Sequence, residues 1–458
     1  MLFVPTRDRP LALAYALRSH RVAMERSAAR APITVVDDSS DELATRRACE
    51  GAAAVHVGRA ERARLVALLG ESAEEREVLG WALLPPEERA TTWVGATRNV
   101  IALLSAGRPF VSIDDDSPSL FFRRRAPGAS KPVGDPQPIE IAPAGAVVRT
   151  EADAWSVHAP LLGAPAHRFV PGAPGDVTIG LTFTGVVGDL GIGSLGALAF
   201  VDGASRVALE AGGFDEVVRG GAMARLACNT QVSTHPFGMM GCFGADARRM
   251  LPPMVPAGRN EDGLFVTTTR FLHPRVALAH VPVAVAHRLG QGRPRPLASF
   301  FDLARAPRLA DLLELALADA SSSASREDPA SSLRSLGRAL QARPAPVWEA
   351  WNAQRAARAG WLRRSWRGAR PSAVRELALA LADELDRPAP VADTASGLCV
   401  GEAVRRFGAL LELWPDVWRR AERVQGAFSP LPRPRPLEPR GRRSTYHTAP
   451  VVPEEGAR

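Results

Sequence analysis

Two acidic stretches carry the residue types from which metal and acid–base chemistry is built. They are Phe110 to Pro118, FVSIDDDSP, and the NED of Asn260 to Asp262. In the first, an apolar run of strand length ends in Asp114, Asp115 and Asp116, which would deliver three carboxylates to the edge of a sheet. Adjacent like charges repel, and a hard cation such as Mg²⁺ or Mn²⁺ would relieve that repulsion while holding a substrate diphosphate. On its own such a triplet is more often a solvated acidic turn, here closed by Ser117 and Pro118. In the second stretch, a carboxylate opening a helix either complements the helix dipole or takes a proton from a substrate hydroxyl. The rest of the chain decides between these readings.

Elements that would position these groups are legible around them. Leu2 to Pro5 is a minimal apolar strand followed by TRDRP and a helix-like run from Leu11 to Ser19. Ile33 to Val36 is β-branched and ends in DDSSDE, Asp37 to Glu42. Two arginine-rich helical stretches lie between Gly58 and Trp81. Gly95 to Gly107, GATRNVIALLSAG, has helical apolar spacing and a Gly107/Pro109 stop that hands the chain to Phe110 to Ile113. Strand, polar loop and helix in alternation predict a parallel sheet with crossover helices. Three polar loops, Thr6 to Arg9, Asp37 to Asp41 and Asp114 to Asp116, then fall on one sheet edge, where such folds bind ligands.

PTRDRP, VVDDSSDE, GATRN and SIDDDS, in this order and spacing, resemble the nucleotide-binding half of family-2-type glycosyltransferases with the GT-A fold. The match covers about the first 120 residues. The resemblance implies an α/β fold, a GT-A-like (Rossmann-like) mixed sheet flanked by helices, with Thr6, Arg9 and Asp37 or Asp38 near the nucleoside. The SSDE after the two aspartates departs from the glycine of many relatives and leaves the choice between Asp37 and Asp38 open. Arg98 is placed near the nucleotide, Asp114 near ribose or metal, and Asp116 on a Mn²⁺ or Mg²⁺ that bridges the diphosphate. Asp115, if strand geometry continues, points away and is structural. Glu261 and Asp262 match the pair that opens a helix on the acceptor side, with Asp262 as general base. His273, His280 and His287 recur every seven residues, but Pro274, Pro282 and VPVAVA indicate strands, not one metal-binding helix. The resemblance implies a downstream histidine at the metal; His287 fits, with His280 as the alternate.

Length suits two or three domains: 1–120 for the nucleotide sugar, 121–295 for acceptor and catalysis, 296–427 as an α-helical C-terminal module, and 428–458 as a disordered tail. Arg123 to Gly145 reads as a linker, and GDLGIGSLG, Gly188 to Gly196, as a flexible turn without a Walker lysine. Helices are predicted over Leu297–Ala318, Ser332–Gln341, Val347–Trp366, Ala373–Leu385 and Gly401–Val424. Trp348 with Trp351 and Trp414 with Trp418 share helix faces, as in core packing or a sugar-stacking surface. Arg355 to Arg370, with Trp361 and Trp366, suits either a solvated face or peripheral contact with an anionic membrane surface.

An apolar fraction of 46% with 23% charged residues is that of a globular protein, without a transmembrane tract or a signal-type start, which predicts a cytoplasmic location. The pI of about 10.3 reflects cations that are nearly all arginine, Lys131 being the single lysine, and not a nucleic-acid partner. Four dispersed cysteines lack C-x-x-C spacing and are expected to be buried reduced thiols. The expected activity is metal-dependent transfer of a sugar, with inversion, from a UDP- or GDP-sugar to an acceptor hydroxyl. A catalytically silent carbohydrate-binding or assembly protein is the alternative from another class. A nucleotidyltransferase is disfavoured because TRDRP lacks the glycine- and lysine-containing loop that holds a triphosphate.

Overall fold

The computed structural model describes residues 1–27, 31–86, 92–126, 139–170, 173–188, 198, 203–211, 223–287, 301, 307–321, 328–342, 348–388, 394–395 and 398–424. Most of the 123–145 linker, GDLGIGSLG beyond Gly188, the start of the 297–318 helix and the tail from 428 lie outside these residues.

β-branched and aromatic runs build a mixed sheet that has twelve strands among the described residues. They are β1 (Leu2–Thr6), β2 (Ile33–Asp37), β3 (Val55–Val57), β4 (Pro109–Ile113), β5 (Phe121–Arg124), β6 (Glu140–Pro143), β7 (Val147–Thr150), β8 (Thr178–Gly188), β9 (Met223–Leu226), β10 (Gln231–Ser233), β11 (Cys242–Asp246) and β12 (Val276–His287). The main order is β3-β2-β1-β4-β11-β8-β12-β5-β7. β3, β2, β1 and β4 run parallel, so the polar loops after β1, β2 and β4 emerge on one edge. β11 enters antiparallel between β4 and β8, and β12 runs parallel to β8. The prolines of the three-histidine stretch have a visible consequence. Val281–Val283 of β12 lie opposite the single Thr184, a bulge that accommodates Pro282.

Helices 10–26 and 42–51 cover one side of the parallel strands, and helices 59–69, 73–83 and 94–104 the other. On the latter side Phe3, Phe110, Phe243 and Phe183 form a row with ring centroids 5.8, 5.7 and 6.4 Å apart. Helices 309–321, 329–342 and 400–424 add their apolar faces to that cluster, with Trp414 donating to the Leu251 carbonyl at 2.7 Å. Helix 348–366 gives Trp351 to that same cluster and its later turns, with helix 373–386, to the opposite one, where Trp366 donates to the Leu198 carbonyl at 3.0 Å. Trp351, Trp414 and Trp418 are interior, so these stripes are packing and not sugar platforms. Trp361 differs: it is 44% exposed, with Arg364 over its ring. Expectation also fails in part for the cysteines. All four are free thiols, and Cys49 and Cys242 are buried and pushed up to about 12 by desolvation, but Cys399 is exposed. Among the described residues, no helix is long and apolar enough to cross a membrane.

Gly95 shows how tightly the helix that feeds β4 is seated. A Cβ there would lie 1.9 Å from the Val255 carbonyl oxygen, and backbone cannot yield as a flexible side chain would. Gly95→Ala is therefore expected to cost about 3 kcal/mol, the upper part of the range for overpacking. The urea midpoint should fall at unchanged m-value; an unchanged midpoint would show that the 255–256 segment moves freely.

Candidate active site

The first two edge loops hold each other. Asp8, at φ 53°, accepts from the Ser40 N–H and hydroxyl at 2.7 Å each, and its own N–H donates to Ser39 Oγ at 2.8 Å. Asp37 is buried; it accepts from the Ser39 N–H and meets His56 Nε2 at 2.9 Å. Asp38 meets Arg62 Nη1 at 3.2 Å, and Asp41 caps helix 42–51. Thr6 and Arg9 reach to the third loop. Thr6 Oγ1 donates to Asp115 at 2.7 Å, and Arg9 Nη1 donates to Asp115 at 3.1 Å and to Asp116 at 2.6 Å.

Within the triplet, side chains therefore divide as alternation requires. Asp115 turns to Thr6 and Arg9, whereas Asp114 and Asp116 face the end of β12. His287 Nε2 lies 3.4 Å from Asp116 Oδ1. One ligand atom from each of Asp114, Asp116 and His287 lies within 4.8 Å of the other two. Asp114 keeps 30% side-chain exposure, yet it sits deep enough for desolvation to lift its pKa to about 6, with Asp116 adding to the rise and Arg98 opposing it. Burial likewise raises Asp115, against the pull of Thr6 and Arg9. Two carboxylates and an imidazole are a donor set suited to a divalent cation.

His280, the alternate ligand, is corrected by the structure. Its ring lies between Phe183 and Phe237, with centroids 5.5 and 5.9 Å away, and burial drives it down to about 3. The bulge at Val281–Val283 separates the two histidines into different environments. His273 is elsewhere again, donating to the Met250 carbonyl at 2.8 Å.

GATRN supplies three functions from one helix. Gly95 permits the close approach described above. Asn99 clamps Met254, donating to its carbonyl at 2.9 Å and accepting from its N–H at 2.7 Å. Arg98 is buried and joins the two halves of the site. Its Nη2 donates to the Met240 carbonyl at 3.0 Å and lies 3.6 Å from Asp114, and its Nη1 is 3.3 Å from Glu261. Glu261 is also buried, and desolvation raises its pKa, with Asp262 adding and Arg98 opposing. Asp262 is half-buried, with one carboxylate oxygen on the Gly263 N–H at 2.9 Å. Glu261 and Asp262 open helix 261–272 as expected, after Asn260 in the left-handed region at φ 71°.

A brace for this turn escaped sequence reasoning. Asn260 Nδ2 donates to Asp311 at 3.0 Å, and Arg308 grips the same carboxylate through Nε at 2.7 Å and Nη2 at 2.8 Å. The negative charge of Asp262 and Glu261 reaches Arg308 as well. No motif marks Arg308 or Asp311; both lie where the sequence shows only an alanine-, leucine- and arginine-rich helical texture.

The geometry thus joins a three-ligand cluster to a helix-opening acidic pair through one guanidinium. Comparison with protein-family models, with curated proteins and with solved structures finds no match to this chain.

Proposed function

We propose that the chain is a metal-dependent glycosyltransferase of the GT-A type. It moves a sugar from a nucleoside-diphosphate sugar to an acceptor hydroxyl, with inversion at the anomeric carbon. The observation that carries this reading is the convergence of Asp114, Asp116 and His287 within 4.8 Å at the edge where the parallel strands end. Asp114, Asp116 and His287 would hold Mn²⁺ or Mg²⁺, which when bound offsets the negative charge that grows on the departing diphosphate.

The protein's own groups divide the remaining work. Arg9 keeps one oxygen of Asp116 and one of Asp115, fixing the triplet and leaving Asp116 Oδ1 toward His287. Arg98 orients Asp114 and Glu261 together. Glu261 is buried against Arg98 and is a positioning residue. Asp262 is the more accessible of the pair and serves as the base: it takes the acceptor proton as the acceptor oxygen attacks C1 and the bond from C1 to the diphosphate oxygen breaks. The brace from Arg308 through Asp311 to Asn260 holds the turn that presents Asp262.

Thermal unfolding with a panel of nucleoside diphosphates tests this reading. UDP or GDP should raise the midpoint with Mn²⁺ present and not in its absence. No response to any nucleotide, with or without metal, would sink the transferase reading and leave a binding or assembly role on this scaffold.

A further inference from the structure

Arg225, on β9, is only 7% exposed, yet among the described residues its guanidinium has no carboxylate partner and donates no hydrogen bond; its Nε is fully enclosed. Its contact is with Phe237, whose ring centroid lies 4.5 Å from the guanidinium carbon. The neighbouring carboxylate, Glu140, cannot serve it. Glu140 stands opposite Leu226 in the β6–β9 ladder, so it faces the other side of the sheet, where it pairs with Arg124 at 3.5 Å. Among the described residues, the other titratable groups that act here are the imidazoles of His280 and His235. His280 is held neutral by burial first, then by the charges of Arg225 and His235. Burial also pulls Arg225 itself down to about 10. A charge enclosed without a counter-ion is strongly unfavourable, and an apolar side chain of similar size would fill the space without that cost.

The position of Arg225 gives the imbalance a purpose. Its guanidinium lies with Phe237 and, through that ring, with His280, which packs on Phe183. Phe237 opens the segment whose Met240 carbonyl takes Arg98 and whose Gly241 carbonyl takes the Asp114 N–H. The stacked arginine is thus tied, through that segment, to the backbone that holds Arg98 and Asp114 at the candidate active site.

We propose that Arg225 and Phe237 form an oxyanion subsite that binds a phosphate or carboxylate carried by the acceptor. Stacking on Phe237 fixes the plane of the guanidinium, whose fork matches either group. The word acceptor rests on the transferase reading; the anion site does not.

The test is thermal unfolding in titrations of inorganic phosphate and, separately, acetate, at constant ionic strength and without divalent cation or nucleotide. Saturable stabilisation of the wild-type chain is expected, and the more effective anion identifies the group. Arg225→Met should lose that response and start from a midpoint at or above wild type, because the uncompensated charge is gone. A midpoint well below wild type, or an undiminished anion response, would overturn the proposal, as would no wild-type response to either anion. Phe237→Leu leaves the guanidinium in place and should weaken the response severalfold; an unchanged response would remove Phe237 and the subsite as described. If the nucleotide panel fails while the phosphate or acetate response persists, the subsite stands and only its attribution to an acceptor falls.

Discussion

Replacing Asp262 with Asn is expected to slow sugar transfer by roughly 10²–10⁴-fold, the usual contribution of a positioned general base. Asn has nearly the same shape and can still accept from the Gly263 N–H, so the turn should persist. What it lacks is the ability to take a proton. Nucleotide binding in the presence of Mn²⁺ should be nearly unchanged, because the three-ligand cluster and Arg9 are untouched. Single-turnover transfer and nucleotide titration separate the two effects. If Asp262→Asn binds nucleotide poorly but transfers normally once saturated, the residue holds the donor and the base lies elsewhere.

Arg98→Met should produce the largest loss of stability from a single side chain in the site. Arg98 and Glu261 are both buried, and removal of the guanidinium leaves Glu261 enclosed without its partner and the Met240 carbonyl without its donor. Breaking a buried pair from one side costs roughly 3–5 kcal/mol, against at most about 1 kcal/mol for an exposed pair. The urea midpoint measures this directly. Glu261→Gln in the Arg98→Met background should recover part of the loss, because the uncompensated carboxylate disappears, and the double-mutant cycle gives the coupling. A loss under about 1 kcal/mol, with no coupling, would mean that water screens the pair and that Arg98 does not tie the metal cluster to the acidic pair.

The elements were legible wherever local pattern and tertiary context agree. The strands at Leu2, Ile33 and Phe110, the helix opened by Glu261, and the helices 348–366, 373–386 and 400–424 lie within a few residues of their expected bounds, because apolar periodicity there is also the pattern of burial. Convergence of Asp114 and Asp116 with His287 was reachable only through a resemblance, since 171 residues separate Asp116 from His287 and spacing carries no register for β12. Nor does spacing distinguish His280 from His287. The bulge at Val281–Val283 decides that, and bulges follow from the partner strand as much as from Pro282. Asp37 illustrates a different limit. Its side chain is engaged by His56 on the neighbouring strand, and a sequence shows the aspartate without showing its partner. Arg225 and Arg308 were hidden by composition: where nearly every cation is arginine, a buried arginine looks like any surface one.

Mn²⁺ binding followed by electron paramagnetic resonance, in wild type, Asp116→Asn and His287→Ala, bears most directly on the cluster. One Mn²⁺ per chain is expected in the presence of UDP or GDP, with affinity lost in Asp116→Asn and reduced in His287→Ala. Equal Mn²⁺ binding by all three proteins, or nucleotide binding that ignores the metal, would contradict the assignment of Asp114, Asp116 and His287 as the metal site.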